Sequence, residues 1–234
     1  MKKIAIIGAM EQEVDTLKAR MENVKITAKA GMEFYEGRLN GTDVVVVRCG
    51  IGKVHAAMCV QALCDLFSVT HIVNTGIAGS LDAELDIGDI LVSVDAVQHD
   101  FDVTVFGYRK GQVAGTEKRE FTADPYMVQC ALDACAAITP AVKAKAGRVV
   151  SGDQFICDRA VKDALVAEYA AQCTEMEGAA IAQAAQKNGI PFVILRAISD
   201  KADGSAEMDY PTFEASAAKH SAALVKELVK NLCL

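Results

Sequence analysis

The chain has no tryptophan, no run of basic residues, no C-x-x-C pair and no apolar stretch of membrane-spanning length. Each absence removes a class of function. With 24 Lys and Arg against 31 Asp and Glu, the net charge is −7. That balance speaks against nucleic acid or an anionic membrane surface as partner. A membrane-crossing helix needs ~20 apolar residues, and no segment approaches that. The N-terminal Met1-Lys-Lys-Ile-Ala-Ile-Ile-Gly8 has too short an apolar core for a secretory leader, and Glu11 and Glu13 follow at once. The eight cysteines fall largely in apolar segments. They read as reduced core thiols of a cytoplasmic protein. The four histidines pair with no cysteine at ligand spacing, so neither a zinc site nor any other metal is expected. No repeat, low-complexity tract or linker interrupts the chain.

What remains is a chain of 234 residues, 52% hydrophobic, able to bury a large core. Short apolar runs alternate with helical patterns. Ile4–Ile7 reads as a buried strand ending at Gly8, with a helix from Met10 through Glu13 and Leu17 to Met21. Asn40-Gly41 between 33–39 and 42–49 is a hairpin signal. Gly50-Ile-Gly-Lys53 opens a helix to Phe67. As a cofactor fingerprint this Gly-x-Gly is incomplete, and no cofactor is expected. His71–Asn74 reads as a strand closed by the small-residue turn Thr75–Ser80, and Ile90–Val97 as another. The loop after Gln98 contains His99, Asp100 and three glycines. Asp124-Pro125 starts a helix to Ile138. Lys143–Val150 is a strand, Asp158 caps a helix from Ala160 to Tyr169, and a last amphipathic helix covers Phe213–Leu232. The pattern is that of one α/β domain over 1–234, a central mixed but mostly parallel sheet flanked by helices.

The candidate chemistry lies between Cys173 and Asp203. Glu175 and Glu177 stand i,i+2 at a strand-to-helix junction, and Asp200 ends the apolar run 192–198, broken by Arg196. In an open α/β sheet, ligands bind at the carboxyl ends of the strands. Glu177 and Asp200 thus reach the same crevice from two strands, and Glu13 follows strand one at the same end. Converging carboxylates suit acid–base work and hydroxyl recognition. In a dry crevice they raise one another's pKa. After Ser151-Gly152, Phe155 offers a stacking surface for a flat base.

Seven ordered motifs cover Lys3 to about Val229: Gly8-Ala-Met-Glu-Gln-Glu13, Gly50-Ile-Gly-Lys53, Asn74-Thr-Gly-Ile-Ala-Gly79, His99 to Tyr108, Ser151-Gly-Asp-Gln-Phe-Ile156, Glu175-Met-Glu177 and Arg196-Ala-Ile-Ser-Asp200. Together they resemble the bacterial 5′-methylthioadenosine/S-adenosylhomocysteine nucleosidases of the nucleoside phosphorylase/hydrolase family. The resemblance implies a hydrolase that releases adenine from these nucleosides, a fold of the nucleoside phosphorylase type, and a homodimer. It assigns Asp200 as the acid that protonates adenine N7, with Ser199 holding its carboxyl. Glu13 would activate water and Glu177 bind the ribose hydroxyls, with Met176 beside the sugar. Phe155 would stack on adenine and the Ile156 backbone read its edge. Gly79, Met10 and Ile51 would complete the substrate site. Phe106 would shape the 5′-alkylthio pocket, partly across the dimer.

Phosphorylases of the same family carry arginines in the first strand-to-helix turn and in the strand before the Asn74 turn. At those places this chain has Met10-Glu-Gln-Glu13 and Val73-Asn74. Acids there repel phosphate, so water is the expected nucleophile. Purine nucleoside phosphorylase, 6-amino-6-deoxyfutalosine nucleosidase and a non-catalytic nucleoside-binding module are the alternatives. Two positions depart from the family pattern. Ile77 replaces a small hydroxyl residue, and Ala114 stands where proline is common.

Overall fold

In a computed structural model, residues 2–138, 142–201 and 221–232 are described. β1 (Lys3–Gly8) lies at the centre of one sheet, paired in parallel with β4 (Thr42–Arg48) and with β5 (His71–Ser80). Its side chains alternate between two cores. Ala5 and Ile7 face one side, with Phe34, Val45 and Val47. Ile4 and Ile6 face the other, with Val44 and Val46. Strands buried on both faces read as continuous apolar runs. Each fully buried Ile contributes about 1.5–3 kcal/mol.

The first core is covered by α2 (Lys53–Phe67) and α5 (Gly178–Lys187), whose buried faces carry Ala56, Cys59, Val60, Leu63 and Ala179 to Ala182. The second is covered by α3 (Pro125–Ile138) and by a helix over 221–231 bearing Leu224, Val225 and Leu228. Small alanines let the helices approach the sheet closely. Cys49, Cys59, Cys130, Cys135 and Cys173 are buried thiols in these layers.

β6 (Ile90–Gln98), β8 (Ala144–Ser151), β9 (Cys173–Glu175) and β10 (Phe192–Asp200) complete the central strands. β10 pairs in parallel with β5 and antiparallel with β6. β6–β8 and β8–β9 are parallel, and β9 returns antiparallel to β5. Five strands thus close on themselves, where the sequence suggested an open sheet. Closure gathers the ends of β5, β9 and β10 around one spot.

Other expectations need correction. The first helix is only a 3₁₀ turn (Glu11–Glu13) and α1 (Asp15–Lys18). Eight residues from Glu22 form β2 (Glu22–Lys29), almost wholly exposed and antiparallel to β3 (Met32–Leu39). With β4 these make a three-stranded meander rather than a lone hairpin. An exposed edge strand has no buried face to print an alternating apolar pattern. The Asn40-Gly41 turn is as expected, both residues at positive φ. Thr75–Ser80 is not a turn but the second half of β5. A two-residue strand, β7 (Phe121–Thr122), pairs with β6 and was not anticipated. Asp124 and Asp158 cap α3 and α4 (Arg159–Tyr169) through Met127 N–H and Val161 N–H. The final helix expected from Phe213 is described only from 221 on, and Asp203 lies outside the described residues. Among the described residues, no helix is long and apolar enough to cross a membrane.

Candidate active site

A cleft open to solvent lies where β5, β9 and β10 end. Its wall contains Glu13, Glu177 and Asp200, together with Met10, Ile51, Gly79, Phe155, Ile156, Met176 and Ser199. These residues come from six separate stretches of the chain. Phe106 is not among them. It sits on the loop after β6, 76% exposed, beside Val105, which is 84% exposed. Among the described residues of one copy, that loop does not line the cleft. His99 and Asp100 line a neighbouring depression instead.

Glu13 is held by main-chain donors. Ala9 N–H and Met10 N–H reach its Oε2 at 2.7 and 2.9 Å, and Ile77 N–H reaches Oε1 at 3.2 Å. The Ile77 position therefore acts through its backbone, while its side chain lines the cleft. Burial raises the Glu13 pKa, opposed by these donors and by the nearby Arg196. Gly76 leaves the room required. A Cβ there would meet Glu13 Oε1 at 2.8 Å.

The glutamates at 175 and 177 separate in role. Glu175 Oε2 accepts from Glu177 N–H at 3.1 Å, from Gly178 N–H at 2.8 Å, and from the Arg196 guanidinium. Its Oε1 accepts from Ser151 Oγ–H, which in turn accepts from Ala179 N–H at 2.7 Å. Glu175 therefore fastens the start of α5, whose exposed N–H groups favour a carboxylate. Glu177, by contrast, accepts one bond, from Gly52 N–H at 2.8 Å, and faces the cleft. Burial and the neighbouring Glu175 push its pKa up to about 8.

Arg196 lies beneath this group, 2% exposed. It also donates to Asn74 Oδ1 at 2.6 Å and to the Leu195 carbonyl at 2.9 Å. A buried guanidinium offsets part of the like-charge repulsion among Glu13, Glu175 and Glu177.

Asp200 ends β10. Its Oδ1 accepts from Ser199 Oγ–H at 2.9 Å and its Oδ2 from Lys162 Nζ at 3.0 Å. Register pairing sets Asp200 opposite Gly79 of β5, after an irregularity at Ile198. Lys162 is buried in α4 and was missed in the sequence. The available signal was its place in the buried stripe 162, 165, 169 of an otherwise exposed helix. Asn74 and Ser151 were also present in the motifs without an assigned role.

The wall has four carboxyl side chains and, among the described residues, no lysine or arginine. It can bring an acid, a base and hydroxyl-binding groups to one ligand. Phe155, 53% exposed, offers an aromatic face at the mouth.

The phosphorylase superfamily model matches residues 3–230. A 5′-methylthioadenosine/S-adenosylhomocysteine nucleosidase of Shewanella halifaxensis (strain HAW-EB4) is 43% identical over 231 residues, 98% of this chain and 100% of that protein. A nucleosidase of the same name from Colwellia psychrerythraea 34H, solved in complex with adenine, superposes with a TM-score of 0.94 at 39% identity. The match covers 99% of this chain and 96% of that one. The futalosine hydrolase of Helicobacter pylori strain 26695 superposes with a TM-score of 0.92 at 32% identity, covering 98% and 97%.

Proposed function

The chain belongs to the phosphorylase superfamily, and we propose that it hydrolyses the N-glycosidic bond of 5′-methylthioadenosine and S-adenosylhomocysteine, releasing adenine and the 5-thioribose product. The observation that carries this reading is the convergence of Glu13, Glu177 and Asp200 on one cleft with Phe155 at its mouth.

Breaking a ribosyl–adenine bond builds positive charge on the sugar and negative charge on the purine. Asp200 supplies a proton to N7, which turns adenine into a neutral leaving group. Ser199 orients the Asp200 carboxyl. Glu13 takes a proton from water as the water attacks C1′. Its three main-chain donors fix its orientation, and a carboxylate whose pKa is raised by burial is a stronger base. Glu177 binds the ribose hydroxyls. Burial and the neighbouring Glu175 raise its pKa, and its carboxyl can share hydrogen bonds with those hydroxyls. The remaining carboxylate charge stabilises the oxocarbenium-like sugar. Phe155 stacks on adenine, the Ile156 main chain reads its edge, and Gly79 leaves it room. Met10, Ile51 and Met176 pack about the sugar and 5′ group.

Water rather than phosphate is the nucleophile, because the wall carries acids where a phosphate dianion needs cations. A second copy of the chain seated on the exposed Val105 and Phe106 would complete the 5′ pocket and make a homodimer. The free thiols fit a reducing compartment, so we place the protein in the cytoplasm, acting on small adenine nucleosides without nucleic acid or membrane partners.

The test is adenine release from 5′-methylthioadenosine, with and without phosphate. Free thioribose and no phosphate acceleration are expected. Ribose-1-phosphate products would overturn hydrolysis. The likeness to a futalosine hydrolase favours one second reading, turnover of 6-amino-6-deoxyfutalosine. It shares the adenine end, and a substrate panel separates the two.

A further inference from the structure

Lys162 has no part in the reading above, yet its ammonium touches the acid. Nζ lies 3.0 Å from Asp200 Oδ2 and 2.7 Å from the Lys201 carbonyl oxygen. Both side chains of the ion pair are almost fully buried, at 2% and 3% exposure. The rest of α4 presents its charges to solvent, and Lys162 shares its buried stripe with the apolar Leu165 and the aromatic Tyr169. Burying an ammonium and a carboxylate together is costly, and an apolar pair of similar volume would hold the helix as well. A merely cohesive role leaves this ion pair unexplained.

The two oxygens of Asp200 are both engaged, Oδ1 by Ser199 and Oδ2 by Lys162. A purine at the cleft must share one of them. We infer that Lys162 is the positioning residue of the acid: it seats the Asp200 carboxyl against Gly79 and receives the negative charge that appears there when the proton leaves for the purine. The inference rests on the proposed role of Asp200. In the step itself, the Asp200 O–H bond breaks, an N7–H bond forms, and the electron pair stays on the carboxylate beside the ammonium. The electrons of the C1′–N9 bond pass into the adenine ring, so adenine departs neutral. Attack by water releases one proton through Glu13, and Asp200 takes one back from solvent, so the cycle balances. Lys162 keeps its own protons throughout.

The experiment is a double-mutant cycle on kcat and KM for 5′-methylthioadenosine, using the wild-type chain, K162M, D200N and K162M/D200N. Near-UV circular dichroism checks the fold of each. K162M is expected to lower kcat about a hundredfold, within the range of a proton-transfer role, with KM little changed. Added to D200N, it should cost less than about threefold, because residues acting as a unit are non-additive. K162R, which keeps the charge, should recover most of the loss. Equal losses in both backgrounds, or no loss on the wild-type background, overturn the inference. Should K162M not fold, K162Q goes through the same cycle with the same criteria. D200N retaining wild-type turnover would instead overturn the role of Asp200 itself.

Discussion

The Asp200 carboxyl rests directly on the α-carbon of Gly79. A Cβ built at Gly79 would lie 2.9 Å from Oδ2 and 3.2 Å from Oδ1. The two residues are register partners on β10 and β5, so neither strand can slide away. The acid therefore has its place because position 79 has no side chain. Gly79→Ala should lower kcat by at least about tenfold, since a misplaced reacting group costs up to about 10² in rate. Steady-state kinetics on a variant with unchanged far-UV spectrum will test it. Wild-type kcat would mean that the close packing is incidental.

The three carboxyls are expected to divide the chemistry. Asp200→Asn and Glu13→Gln keep shape but lose the acid or base. Each should cut adenine release by about 10²–10⁴, leaving a folded protein that still binds adenine. Turnover near the wild-type rate from either variant would refute the assigned role.

Glu177 gives the free protein a pH signature. Its pKa is raised from 4.5 to about 8 by burial and by Glu175, and burial raises that of Glu13 as well. Between the unfolded and folded values the native state binds more protons than the unfolded chain. Stability therefore falls as pH rises through that window. The melting temperature is expected to decline from about pH 5 to pH 8.5. Glu177→Gln should flatten the decline. A melting temperature that rises across this range in the ligand-free protein, or an unchanged slope in the variant, would count against the raised value.

Arg196 is a structural cation. Replacing it by Met leaves Glu175 buried without its ionic partner and adds nothing that compensates Glu13. Removing one member of a buried pair costs about 3–5 kcal/mol. Urea unfolding of Arg196→Met should show a loss of that order. A loss under about 1 kcal/mol would place Arg196 outside the stabilising network, since exposed ion pairs contribute no more than that.

The second copy can be tested by light scattering. A dimer is expected at micromolar concentration. Phe106→Asp should shift it toward monomer and raise KM for nucleosides with bulky 5′ groups. A wild-type monomer would remove the partner from the 5′ pocket.

The amino-acid sequence by itself determined the apolar strands, the Asn40-Gly41 turn, the Asp124 and Asp158 caps and the acids at strand ends. These depend on local chemistry: side-chain period, turn geometry and capping hydrogen bonds. Motif order further pointed to the family and to ten of the cleft residues. Tertiary structure decided the rest. The exposed β2 and the glycine-rich half of β5 carry no apolar alternation, so only pairing with neighbours makes them strands. Glu175 and Glu177 are the same residue type two positions apart, and they part company because Ser151 and Arg196 reach only the first. Lys162 meets Asp200 across 38 residues of chain, and pairing of β10 with β5 sets the Asp200 carboxyl against Gly79. Such contacts are set by the free energy of the packed whole, and no window along the chain contains it.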